Sequence, residues 1–236
     1  MRIGWCSTAL EAAICFPPPT KFIPPKDESE GGRGFLSCPA VRSYFSATYY
    51  VPAPFSIHLT FSEVNGQAVI RPVYPFTSLV EDKVRELIKV EPRSTWRNPS
   101  IVALQVPSPY LFFADEPIIL SQGPALLSTP ASLSWRLIPG KFNIYNWQRP
   151  INWACEWHTA AGDLIVKAGE PLYFVTFESV EGQPLGNIEM VETALTPDLR
   201  EQMRQTTGVV GLRRGVMPLV SLAGERRTGK TFIPTE

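Results

Sequence analysis

The sequence predicts a mainly β protein, a single β-sandwich or jelly-roll-like domain with two short helices and extended terminal arms. Three observations carry this expectation. Prolines recur between apolar runs along the whole chain, 24 in 236 residues, about twice the average usage, and proline removes an amide donor and breaks helices. Phe55, Ile57, Leu59 and Phe61 alternate with Ser56, His58, Thr60 and Ser62, the period of a strand with one apolar face. Ile151, Trp153, Cys155 and Trp157 repeat that alternation a hundred residues later.

Taken in order, residues 1–16 have no decisive periodicity. Prolines 17, 18, 19, 24 and 25, with glycines 31, 32 and 34, make residues 17–34 an extended, solvent-facing loop. After the first alternating strand, Asn65-Gly66 supplies the two positive-φ residues of a type I′ turn, and residues 68–71 return as its partner. Ser78 and Glu81 have capping-box spacing ahead of an apolar stripe of Leu79, Val80, Val84, Leu87 and Ile88. That pattern predicts a helix over 78–90, stopped by Pro92. Strands follow at 141–147, 151–158, 164–167 and 172–177, with Ala160-Ala161-Gly162-Asp163 as a hairpin turn between two of them. Thr196-Pro197-Asp198 opens a second helix, threonine as cap and proline at the first helical position, ending near Gly208. The chain thus divides into an N-terminal segment (1–34), a β-rich domain (35–208) and a basic C-terminal arm (209–236), the last read as one strand plus an arm.

Lysine plus arginine and aspartate plus glutamate are 22 each, so no global field favours nucleic acid or an anionic membrane. No apolar run reaches the roughly 18 residues a span requires. The first sixteen residues resemble a signal peptide only until Glu11 and the following triple proline. Cys6, Cys15, Cys38 and Cys155 lack metal-type spacing and read as free, buried thiols.

The motifs that tempt a catalytic reading each lack a required part. Gly224-Glu225-Arg226-Arg227-Thr228-Gly229-Lys230-Thr231 fits the phosphate-loop pattern, but that chemistry needs a helix starting at the lysine, and Pro234 forbids one. A jelly-roll metal site uses two histidines and a carboxylate, and His58, Glu156 and His158 are the available set. Glu156 and His158 share a strand face, while nothing local brings His58 to them. Cys155 sits between Trp153 and Trp157, a core environment that raises a thiol pKa. Trp135, Tyr145 and Trp147 are the residues of a ligand platform that would suit a sugar or a base, set against core packing. Arg213, Arg214, Arg226, Arg227 and Lys230 are the cations of an interaction arm, set against a solvated tail.

Ser37-Cys38-Pro39-Ala40-Val41, Ser108-Pro109-Tyr110-Leu111-Phe112-Phe113, residues 140–150 (Gly-Lys-Phe-Asn-Ile-Tyr-Asn-Trp-Gln-Arg-Pro) and Lys167-Ala168-Gly169-Glu170-Pro171-Leu172 together resemble an uncharacterised β-rich family of bacterial and tailed-phage proteins. The resemblance covers most of residues 37–177. It implies a phage or bacterial origin and a virion-associated or accessory protein, and brings no catalytic residues with it. The expectation is therefore a non-enzymatic structural or interaction protein without a cofactor, in the virion or host cytoplasm, engaging protein partners or itself. A jelly-roll metal-dependent enzyme and a small-ligand or carbohydrate-binding module are the alternatives.

Overall fold

The computed structural model describes residues 1–9, 16–25, 34–125, 134–210, 219–227 and 231–234. These form fifteen strands: β1 (Arg2–Ser7), β2 (Thr20–Lys21), β3 (Tyr49–Pro52), β4 (Ile57–Val64), β5 (Gln67–Pro72), β6 (Lys89–Val90), β7 (Ile101–Val106), β8 (Tyr110–Phe113), β9 (Ile118–Pro124), β10 (Trp135–Leu137), β11 (Gly140–Asn143), β12 (Trp153–His158), β13 (Leu164–Val166), β14 (Pro171–Ser179) and β15 (Glu189–Glu192). Four helices accompany them: α1 (Pro39–Ser46), α2 (Glu81–Leu87), α3 (Pro197–Val210) and α4 (Leu219–Glu225). The strands assemble into four sheets, ordered β15-β1-β8, β10-β12-β7-β6, β11-β9-β14-β3-β2 and β13-β4-β5. All four bury side chains in one hydrophobic core, so the fold is the mainly β, sandwich-type domain that the alternation predicts.

β12 shows how the pattern becomes packing. Trp153, Cys155 and Trp157 point inward opposite Val106, Leu104 and Val102 of β7, while Ala154, Glu156 and His158 face outward. The buried indoles keep their N–H groups satisfied where a carbonyl is near: Trp157 donates to Gly162 and Trp135 to Ile165. Strands β8 and β14 are apolar on both faces because both faces are covered. In β8, Tyr110 and Phe112 enter the main core, whereas Leu111 and Phe113 enter a second cluster with Cys6, Leu199, Phe232 and Ile233. Phe174 of β14 turns away from the main core onto Phe22 and Phe45.

The hairpin forms as the sequence predicts: β4 pairs with β5 through Asn65 at φ 52° and Gly66 at φ 76°. The second helix also starts as predicted, with the Leu199 amide donating to the Thr196 hydroxyl, and runs to Val210.

Several elements differ from expectation. Helix α2 spans only seven residues and makes no capping box, because Ser78 is already bonded to Ser56 through its amide and hydroxyl. Val80 takes the cap position, and Lys89–Val90 turns into a strand on the edge of β7. The 141–147 strand ends at Asn143, whose side-chain oxygen accepts from the amides of Tyr145 and Asn146 and forces a turn. Residues 160–163 are not a hairpin turn: β12 and β13 lie in different sheets, joined by a short 3-10 turn. Four helices replace the two expected; α1 begins with a proline at its first position.

The terminal segments are less detached than expected. Residues 16–25 lie along the β3 edge, with Thr20–Lys21 paired to it and the Tyr110 hydroxyl donating to Pro17. Residues 26–33 of that loop lie outside the described residues. At the other end α4 packs on α3, and Phe232 and Ile233 are buried where a solvated arm was expected. Cys6 and Cys155 are buried free thiols, but Cys38 is exposed ahead of α1 and Cys15 lies outside the described residues.

Candidate functional site

The outward face of the β10-β12-β7 sheet meets the β9-β11 end of its neighbour in an open groove of about 310 Å³. Ala154 and Gln105, paired across β12 and β7, line one side. Gln122 and Gly140, paired across β9 and β11, line the other together with Phe142. The irregular stretch after the Asn143 turn supplies Trp147, Arg149, Pro150 and Asn152. The same Asn143 turn that shortened the expected strand thus sets an indole and a guanidinium beside three carboxamides.

Gln122 is 4% exposed. Its amide N–H donates to the Asn152 carbonyl, joining the two sheets, while its oxygen has no partner among the described residues. The Asn152 side-chain oxygen accepts the Ser108 amide at 3.4 Å. The Gln105 carboxamide and the Arg149 guanidinium make no hydrogen bond or ion pair within the described residues. Arg149 Cζ lies 5.8 Å from the centre of the Trp147 ring, within cation–π range. No carboxylate among the described residues lines the groove. Glu156, two residues beyond Ala154 on the same strand face, is held by Arg97 at 2.6 Å, and Lys141 by Glu178.

Of the three platform residues, Trp147 alone borders the groove. Trp135 is a core residue packed edge-on against Trp153, ring centres 5.2 Å apart. Tyr145 lies under Arg227, whose Cζ is 3.7 Å from its ring centre.

The three metal-ligand positions do not converge. Glu156 and His158 share the outer face of β12, but His58 is on β4 in another sheet and bonds Asp163 at 2.8 Å. Among the described residues no three histidine, cysteine or acidic side chains are placed to share a metal ion. Burial pushes the Cys155 thiol well above its ordinary pKa, with the neighbouring Glu156 charge adding to it.

The phosphate-loop motif begins inside a helix: Gly224 and Glu225 close α4, and Gly224 abuts Asn146. That order is opposite to a phosphate loop, in which the helix follows the glycines. Of the five arm cations, Arg213, Arg214 and Lys230 lie outside the described residues. Arg226 is exposed, whereas the Arg227 side chain is 4% exposed and donates to the carbonyls of Tyr145 and Ala114.

Sequence reading missed Gln105, Gln122, Phe142, Arg149 and Asn152. Polar side chains on alternating strands read as ordinary solvent-facing positions, and their convergence depends on which sheets adjoin. The adjacency of Trp147 and Arg149 was the one local signal. No helix among the described residues is long and apolar enough to cross a membrane. No protein-family model and no curated protein matches the chain.

Proposed function

We propose that the protein is a non-enzymatic interaction protein that recognises a small polar ligand through the Trp147–Arg149 groove, in the virion-associated or accessory setting that the family resemblance implies. One observation carries the reading: the Gln122 oxygen, the Gln105 carboxamide and the Arg149 guanidinium border one groove beside an indole, without partners among the described residues. Recognition sites combine an aromatic surface with a few converging polar groups in this way. Their oriented donors and acceptors discriminate among ligands, because a mismatched one leaves buried polar groups unpaired. The test is a glycan and metabolite screen read by tryptophan fluorescence and confirmed by calorimetry. Trp147→Ala should weaken any hit at least tenfold while leaving the melting temperature unchanged. Hits unaffected by that variant would discard the groove.

A second contact, with protein, is favoured by the loop between β5 and α2. Tyr74, Phe76 and Val80 are 50%, 65% and 67% exposed, and clustered exposed apolar surface marks interaction sites. The loop is anchored: Tyr74 donates to the Leu79 carbonyl, Thr77 to that of His58, and the Ser78 amide to that of Ser56. Fixed backbone lowers the entropy lost on docking. Phe76→Ser should reduce copurification with assembled particles or self-association in mass photometry. An unchanged mass distribution and recovery would remove this loop from the contact.

A further inference from the structure

We infer that the groove selects an acidic sugar, with a carboxylate on Arg149, a sugar face on Trp147 and hydroxyls on the carboxamides of Gln105, Gln122 and Asn152. The inference rests on the groove being a ligand site and names its ligand class.

Charge comes first. Among the described residues Arg149 is the single cation lining the groove and no carboxylate lines it, and Glu156, two residues beyond Ala154 on the same strand face, is tied to Arg97. A guanidinium presents its donors as a planar fork that matches a carboxylate in a bidentate pair. One such fork balances one negative charge. A phosphate carries more, and phosphate sites gather several amides or cations around it, whereas Arg149 is the one cation among the described residues that line the groove.

Hydrogen-bonding character comes second. A hydroxyl both donates and accepts, and so does a carboxamide. Three carboxamides therefore suit a polyhydroxylated ligand better than an apolar or purely anionic one. The Gln122 oxygen gives the most specific instruction. Its amide N–H is committed to the Asn152 carbonyl, which fixes the side chain and leaves the oxygen as a fixed acceptor for a donating hydroxyl.

Shape comes third. The volume of about 310 Å³ is at the small end of ligand pockets, which run about 300–1,000 Å³, and suits one or two sugar rings. Trp147 and Phe142 line the same groove as Arg149, and an aromatic face attracts the C–H side of a pyranose.

The experiment is calorimetric titration of the full chain with glucuronate- and galacturonate-containing disaccharides, their neutral glucose and galactose counterparts, and uridine monophosphate. Acidic disaccharides should bind at least tenfold tighter than neutral ones. Arg149→Gln should abolish that preference and leave neutral-sugar binding in place, while Trp147→Ala should weaken both. Lys141→Gln removes a charge beside the groove that is already paired with Glu178, and should leave the preference intact. Equal affinity for acidic and neutral sugars, indifferent to Arg149→Gln but lost in Trp147→Ala, would overturn the acidic selection and leave the groove a ligand site. Tighter binding of the nucleotide than of any sugar would overturn the sugar assignment. Binding of none of these probes would overturn it as well. Circular dichroism and melting curves of each variant separate lost contacts from lost fold.

Discussion

The Arg227 guanidinium lies over the Tyr145 ring, 3.7 Å from its centre, and this contact fastens the C-terminal tail to the β-domain. The same side chain donates to the carbonyls of Tyr145 and Ala114 and lies 3.6 Å from Asp115. Asp115 in turn accepts the amides of Phe232 and Ile233. Arg227→Ala would leave two carbonyls and a carboxylate short of a partner, a cost of about 2–4 kcal/mol. Arg227→Lys should recover little of it, because an ammonium cannot bond two diverging carbonyls and lie flat on a ring. Arg226→Ala, one residue earlier and exposed, should stay within about 0.5 kcal/mol. Urea unfolding of the three variants checks the contrast; similar midpoints for Arg226→Ala and Arg227→Ala would mean the tail does not stabilise the domain.

Gly4 provides a second, steric test. It faces Phe113 across β1 and β8, and a Cβ at Gly4 would lie 2.3 Å from the Phe113 ring. Both residues are buried between the two cores, so the ring cannot simply swing into solvent. Gly4→Ala should cost about 1–3 kcal/mol through overpacking. The double change Gly4→Ala with Phe113→Leu should cost less than the sum of the two singles, a coupling that thermal melts of all four proteins would expose.

The type I′ turn gives a purely conformational test. Gly66 has φ 76° and open space around its missing Cβ, so a side chain there meets no steric barrier beyond its own backbone. Gly66→Val should cost about 1–2 kcal/mol. An unchanged melting temperature would contradict the positive-φ turn.

These cases show where the sequence is legible. Strict alternation reports a sheet face directly, which is why Trp153, Cys155 and Trp157 and the Asn65-Gly66 hairpin could be read from the chain. Capping-box spacing at Ser78 and Glu81 failed because Ser78 had a better partner 22 residues away in Ser56, and no local pattern reports a competing long-range bond. The tail failed for a related reason. Basic residues read as solvated, yet Arg227 exchanges water for two carbonyls and an aromatic ring that only the folded chain assembles. The groove is half visible in the sequence: Trp147 stands out as an aromatic, while its carboxamide neighbours come from two strands in two sheets and from the irregular stretch ahead of β12. Arg149 was the one chemical neighbour available from sequence.

The thiols offer a test in which accessibility and protonation point the same way. Cys38 is exposed, whereas Cys6 and Cys155 are buried. Burial pushes the Cys6 thiol up to about 11 and raises Cys155 as well. At pH 8 a thiol with pKa near 11 is thiolate in about one molecule per thousand, and the thiolate is the nucleophile. With Cys15 replaced by serine, Ellman's reagent should therefore titrate one thiol promptly in the native protein and three after unfolding. The shift also sets a direction for stability. The folded state holds these protons more tightly than the unfolded chain, whose thiols have pKa about 8.5. Their contribution is complete below that value and is lost as pH rises through it towards the folded pKa, because the unfolded state then binds fewer protons. Tyr173, raised in the same direction by burial, extends the decline above about pH 10. Urea midpoints should thus fall between pH 8 and 10, and Cys6→Ala should flatten that fall. Midpoints constant across this range, or prompt labelling of Cys6 or Cys155 in the native protein, would show that neither thiol is held neutral in a closed core.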